Sequence, residues 1–139
     1  MITYLDASVI LRRALSQPGP ALEWDQVGET ISSSITEVEC FRALDHVRLH
    51  GTVDEIAHAR SRELMYRAFE SCDVLEVGPA VLSRASMPLP TSLKTLDAIH
   101  LATALVYREV TGTPLVMATH DRALARASRA MGLEVVGAA

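Results

Sequence analysis

Four acidic residues occupy positions from which they could share one divalent cation. Asp6 directly follows the short apolar run "ITYL" (2–5), and Asp121 comes two residues past "LVMAT" (115–119). Glu39 and Asp97 fall in the expected first turns of "TEVECFRALDHVRLHG" (36–51) and "TLDAIHLATALVYREVTG" (95–112), both of helical character. In an open parallel sheet, ligands bind beyond the carboxyl ends of the strands, where the helices begin. Acids placed that way from four distant parts of the chain converge on one spot. Two unit charges about 4 Å apart repel by roughly 4 kcal/mol at an effective dielectric of about 20. Such a cluster holds protons near neutral pH unless a cation relieves it. With all-oxygen ligands and no thiolate–imidazole group, the expected ion is Mg²⁺ or Mn²⁺. The matching chemistry is metal-assisted hydrolysis of a phosphodiester, in which the ion polarises a phosphoryl oxygen and acidifies a bound water.

Each acid also has an ordinary role open to it, with one exception. Asp6 and Asp121 are good N-cap residues. Thr36 and Glu39 fit a capping box, and Glu39 can pair with Arg42 one turn along. Glu37 competes with Glu39, and helical spacing alone does not choose between them. Asp97 has no comparable excuse. Leu96, Ile99, Val106 and Val110 form one apolar stripe of its helix, and Ala98, Leu101, Ala102 and Leu105 form another. A helix apolar nearly all round is a buried one. Only the narrow face of Asp97, His100, Ala104 and Tyr107 remains for polar work, and burying a carboxylate is costly unless it is paired or bound to a cation. His100, one turn from Asp97, reads as a supporting residue that orients Asp97; the alternative is a metal ligand in its own right. His120 is expected at the rim. Arg12 and Arg13 read as solvated charges on the flank, with phosphate contact as the alternative.

The elements that must carry these residues alternate. Strands are predicted at 2–5, 30–34, 74–78, 115–119 and 133–137. Helices are predicted at 7–15, 21–28, 36–51, 53–72, 79–85, 95–112 and 121–132, with breaks at "SQPGP" (16–20) and "SMPLPTS" (86–92). Alternation of this kind predicts an α/β fold, a three-layer α/β/α sandwich around a central, mainly parallel sheet of about five strands. A chain of 139 residues, 49% apolar and 22% charged, reads as one domain over 1–139 with a real core. The net charge of −4 excludes a generic nucleic-acid coat protein, though not an enzyme that recruits cations to a phosphodiester. Cys40 and Cys72 form no CxxC and read as packed thiols. The N-terminus carries no basic segment followed by an apolar run, and the apolar stretch 101–107 is too short to cross a bilayer, so the cytoplasm is the expected location.

Four stretches, "YLDASVIL", "TEVECFRAL", "LDAIHLATAL" and "ATHDRALARASRAMGLEVV", resemble in order and spacing the motifs of PIN-domain proteins. The resemblance is strongest to the VapC-type toxins of bacterial toxin–antitoxin modules and spans practically the whole chain, with "LDAIHLATA" its most specific piece. It implies a PIN-like fold, Mg²⁺- or Mn²⁺-dependent endoribonuclease activity, a VapB-like cognate antitoxin, an RNA substrate and a homodimer. The family's metal-site acids fall on Asp6, Glu39, Asp97 and Asp121, and the match of "ExxRAL" selects Glu39 over Glu37. Asp6, Asp97 and Asp121 are the expected metal ligands, with Glu39 completing the catalytic set. Ser8 and Thr119 fall on small hydroxyl residues that support the first and fourth acids. Two rivals share parts of this pattern: a Mg²⁺-dependent phosphotransfer or phosphatase domain, and a non-catalytic binding module whose acids only cap helices.

Overall fold

The structure, a computed structural model, describes residues 1–51 and 54–139. Among them the chain runs β1 (Ile2–Leu5), α1 (Ala7–Ala14), β2 (Thr30–Ser33), α2 (Ser34–His50), α3 (Glu55–Glu70), β3 (Cys72–Leu75), α4 (Pro79–Ala85), α5 (Thr95–Thr111), β4 (Leu115–Ala118), α6 (Arg122–Ala130) and β5 (Glu134–Val136). All four strand pairings are parallel, in the order β3-β2-β1-β4-β5. The expected α/β sandwich is present, and its sheet is wholly parallel among the described residues.

Side-chain alternation along the strands builds the two faces. Tyr4 and Met117 point into a core with Leu101, Leu105, Leu124 and Leu133, which belongs to α5 and α6. Their neighbours Leu5 and Ala118 point the other way, into a core with Val9, Ile10, Cys40, Met65 and Phe69 from α1, α2 and α3. Helix α4 packs on the outside of α5 through Val81, Ile99 and Ala102. The run Ala98–Leu105 of α5 is buried on every side, whereas the stripe ends Leu96 and Val110 are exposed. Gly112, left-handed at φ 67°, closes α5, a conformation glycine adopts without a Cβ penalty.

Four elements differ in their bounds from expectation. The helix expected over 21–28 is a single 3₁₀ turn, Trp24–Gln26. Pro20 precedes it, and the chain must be extended by Glu29, whose carbonyl accepts Thr3 N–H at 2.8 Å to enter the sheet. Too few residues remain to offset the cost of a helical nucleus. Helix α2 begins at Ser34 instead of Thr36, because Ser33 is the N-cap. Its hydroxyl accepts Ile35 N–H, and Thr36 Oγ1 accepts Ser33 N–H. Strand β3 starts two residues and ends three residues earlier than predicted, in the register that pairs Thr30 with Cys72 and Ser33 with Leu75. The helix expected from residue 53 starts at Glu55 with Asp54 as its cap, and Val53 lies outside the described residues. No helix among the described residues is long and apolar enough to cross a membrane.

The strand order sets the position of the site. From β1 the chain winds outward through β2 to β3, then returns to lay β4 on the other side of β1. The winding therefore reverses between β1 and β4, and a crevice opens at the carboxyl ends of strands where the direction reverses. Asp6 follows β1 and Asp121 follows β4.

Candidate active site

Asp6 is the N-cap residue of α1, but its side chain is turned to a different task. It is buried, and Oδ2 accepts hydrogen bonds from Ser8 Oγ at 2.7 Å and Thr119 Oγ1 at 2.8 Å. The same hydroxyls accept backbone N–H groups of the turn after β4: Ser8 Oγ takes His120 N–H at 2.9 Å, and Thr119 Oγ1 takes Asp121 N–H at 3.0 Å. Two hydroxyls thus tie the Asp6 carboxylate to the turn that presents Asp121. Asp121 does cap its helix: Oδ1 accepts Leu124 N–H at 2.8 Å.

Glu39 is placed differently from the capping reading. With Ser33 as the cap it lies in the second turn of α2, clear of the helix start. Arg42 pairs with Asp45 at 3.1 Å instead. The side chain of Glu39 is 27% exposed, and Oε1 accepts a hydrogen bond from His100 Nε2. Asp97, in the first turn of α5, is half-buried. Burial pushes its carboxyl pKa up to about 6, reinforced by the charges of Asp121, Asp6 and Glu39 and opposed by His100. The other three acids therefore all act on Asp97.

His100 is fully buried and does not serve Asp97 in the expected way. Its Nδ1 is 2.7 Å from the hydroxyl of Tyr4 and 3.5 Å from Thr36 Oγ1, while Nε2 faces Glu39 and stands 3.7 Å from Asp6 Oδ1. Burial disfavours the imidazolium, but the bond to Glu39 and the charges of Asp6, Glu39 and Asp97 outweigh it, so its pKa is raised. The correction has a simple cause. His100 points down from α5 toward β1 and α2, where Tyr4 and Glu39 are, while Asp97 sits one turn nearer the helix end. Tyr4 and Thr36 are the members of this group that sequence reasoning missed. The available signal for Tyr4 was its inward position on β1, since a buried tyrosine needs a partner for its hydroxyl.

The flanking residues fall outside the acid rim. Arg12 donates from Nη1 to Pro20 O at 2.6 Å, and the Arg13 guanidinium lies 4.7 Å over the Trp24 ring. His120 has its Nδ1 2.7 Å from Gly137 O, so it holds the last strand's exit. A cleft of about 380 Å³ is lined by Arg13, Trp24, Leu64 and Arg67 on the other side of α1, away from the acids. The rim is the candidate for chemistry, because the raised carboxyl pKa of Asp97 there has burial and three neighbouring carboxylates as its causes.

As placed, no three Asp, Glu, His or Cys side chains among the described residues stand closely enough around one point to hold a cation. The donor set nevertheless fits one chemically. The donors are hard carboxylates, and burial together with the charges of Asp121, Asp6 and Glu39 raises the carboxyl pKa of Asp97 to about 6. A hard divalent cation would relieve that repulsion. One consequence is measurable without any metal. In EDTA, Asp97→Asn should raise the melting temperature at pH 7.5 by about 3–8 °C, from about 1–2 kcal/mol once solvent screening is allowed for. The folded-state pKa lies above the unfolded value of about 3.9, so the wild type loses stability as pH rises from about 4 through 6. The advantage of the variant should therefore vanish near pH 4. An equal gain at both pH values would show that charge repulsion is not its source.

A family description, the PIN domain, matches residues 3–130 of the chain. Ribonuclease VapC46 of Mycobacterium tuberculosis (strain ATCC 25618 / H37Rv) is 32% identical over 140 residues, covering 96% of this chain and 95% of that protein. Among solved structures, FitAB bound to an IR36 DNA fragment superposes with a TM-score of 0.69 at 19% identity, covering 97% of this chain and 93% of that one. A toxin–antitoxin complex from Klebsiella pneumoniae superposes with a TM-score of 0.57 at 18% identity, covering 99% and 95%.

Proposed function

The chain belongs to the PIN-domain family, and we propose that it is the toxin of a type II toxin–antitoxin module, an endoribonuclease that hydrolyses RNA phosphodiester bonds with Mg²⁺ or Mn²⁺ and is silenced by a cognate antitoxin. The observation that carries this reading is the common rim of Asp6, Glu39, Asp97 and Asp121, brought from four distant segments and felt together at Asp97. A binding module whose acids only cap helices fits poorly, because of the four only Asp121 spends an oxygen on its helix N–H groups.

In this reading Asp6, Asp97 and Asp121 hold the ion and Glu39 completes the ring. The ion, when bound, polarises a phosphoryl oxygen and acidifies the attacking water. The chain's own contribution is order. Ser8 and Thr119 fix Asp6 by Oδ2 and leave Oδ1, 3.7 Å from His100 Nε2, free of their hydrogen bonds. Asp121 is held by its capping bond with one oxygen to spare. Near neutral pH a rim carboxylate is well matched to accept the proton of the attacking water. The antitoxin partner is supported by the relationship to a VapC ribonuclease. The exposed apolar side chains of α2 and α3, Val38 and Tyr66 beside Phe41, offer a strip for its segment, while Leu44, Met65 and Phe69 are committed to the core. A homodimer and a cytoplasmic location complete the proposal.

The test is direct. Purified protein free of antitoxin should cleave total cellular RNA in Mg²⁺ or Mn²⁺, stop in EDTA, recover on added Mn²⁺, and stop again when the cognate antitoxin is added. Undiminished cleavage in EDTA would remove the metal. Absence of cleavage in every RNA class would remove the enzyme.

A further inference from the structure

Beneath the rim lie two side chains, Tyr4 and His100, that no part of the proposed chemistry uses. Tyr4 on β1 and His100 on α5 are both fully buried, and the Tyr4 hydroxyl stands 2.7 Å from His100 Nδ1. The other ring nitrogen, Nε2, bonds to Glu39 Oε1 on α2 and lies 3.7 Å from Asp6 Oδ1. The two rings meet edge to face, with centroids 5.9 Å apart. Both ring nitrogens are therefore engaged, which removes His100 from the set of metal ligands.

We infer that Tyr4 and His100 are a positioning pair for Glu39, holding its carboxylate turned inward beside Asp6. The inference rests on the reading of Glu39 as a member of the cation site. A carboxylate cannot donate, so the nitrogen facing Glu39 must carry the hydrogen. With the Tyr4 hydroxyl seated on Nδ1, the ring is locked in the orientation that presents Nε2–H to Glu39. Glutamate's long side chain, part-exposed here, otherwise loses rotamer entropy to stay inward and has water as the competing partner. A buried donor fixed from behind removes that freedom before any ion arrives. Oε1 is held by the ring, and the second carboxylate oxygen remains for the cation or its water. Partners of this kind, which orient a ligand without touching the metal, commonly change metal affinity by 10–100-fold when removed.

Substitutions at His100 separate positioning from mere support. The amide nitrogen of glutamine falls near the place of Nε2, whereas asparagine reaches only to the place of Nδ1. In Mn²⁺ titrations, His100→Gln should stay within about threefold of the wild type, and His100→Asn should bind about tenfold or more weakly. Tyr4→Phe, which keeps the ring and its packing, should weaken Mn²⁺ binding by roughly fivefold, less than that range because the Nε2–Glu39 contact itself is retained. In a Glu39→Gln background, His100→Asn should cost nothing further, because the two act through one contact. Equal losses from Gln and Asn, or losses that add to Glu39→Gln, would overturn the assignment. Melting temperatures of the same variants identify any loss due to unfolding. A second readout needs neither metal nor activity. ¹⁵N NMR of His100 in metal-free protein should show hydrogen on Nε2, with its proton resonance displaced by Glu39→Gln. An Nε2 without hydrogen would overturn the pair. A wild type that binds no Mn²⁺ but shows this resonance and its displacement would reject the metal-dependent function and leave the positioning of Glu39 standing.

Discussion

Asp97→Asn protein is expected to be at least about 10³-fold slower than wild type in Mn²⁺-dependent RNA cleavage, while folding normally and melting higher at neutral pH. The activity loss corresponds to about 4 kcal/mol, the scale on which a bound cation stabilises a phosphoryl transition state. Asparagine keeps the shape of Asp97 and removes the negative charge that attracts the ion. The stability gain has the same origin, since the removed charge is the one that burial and Asp121 penalise. A variant that is both sturdier and inactive is what a functional charge in a like-charged site requires. Asp6→Asn should be as inactive but should not share the gain. Its Oδ2 accepts two hydroxyl hydrogens, from Ser8 and Thr119, and an amide nitrogen at that place would oppose both donors. Wild-type cleavage by the Asp97→Asn protein would refute the assigned site. In cells, the wild-type gene expressed without antitoxin should halt growth and the Asp97→Asn gene should not.

The largest stability effect is expected inside α5. Leu101→Ala should lower the unfolding free energy by about 3–4 kcal/mol, seen as a fall of about 10–15 °C in melting temperature. Leu101 is fully buried in the cluster of Tyr4, Ile31, Leu105, Met117 and Leu124, which joins three strands to two helices. Truncation leaves a cavity among side chains held by the sheet, with little room to collapse. Val110→Ala, on the same helix but 79% exposed, should shift stability by less than about 0.5 kcal/mol. Urea titration of the two variants makes the comparison; equal losses would mean that α5 is not anchored as described.

Much of this architecture was legible because it depends on short-range pattern. Strands β1 and β4 are short apolar runs with turns behind them, so Asp6 and Asp121 could be placed at strand ends by counting. Helix α5 announced itself by being apolar on nearly every face, which made Asp97 conspicuous. Helix starts were harder to place. The run Ser32–Ser33–Ser34 offers several N-caps, and the pattern Thr36-x-x-Glu39 offers another. The choice fell to Ser33 because Ser32 donates to Leu5 O at 2.6 Å and is held in the sheet. That contact with a strand 27 residues away is invisible to local spacing. The same applies to the Tyr4–His100 bond, which joins residues 96 apart, and to the Ser8–Thr119 pair across 111 residues. Composition and periodicity locate the acids, and long-range hydrogen bonds orient them.

The tie between Asp6 and the turn after β4 also bears on timing. Asp6 is made 113 residues before Thr119, so its carboxylate acquires both hydroxyl partners only when Thr119 has been made and β4 has paired with β1. Strand β1 is central in the sheet and cannot receive its second neighbour earlier. A growing chain therefore lacks the ordered Asp6 carboxylate until β4 is in place. Until then the nascent chain cannot hold Asp6 as the folded protein holds it.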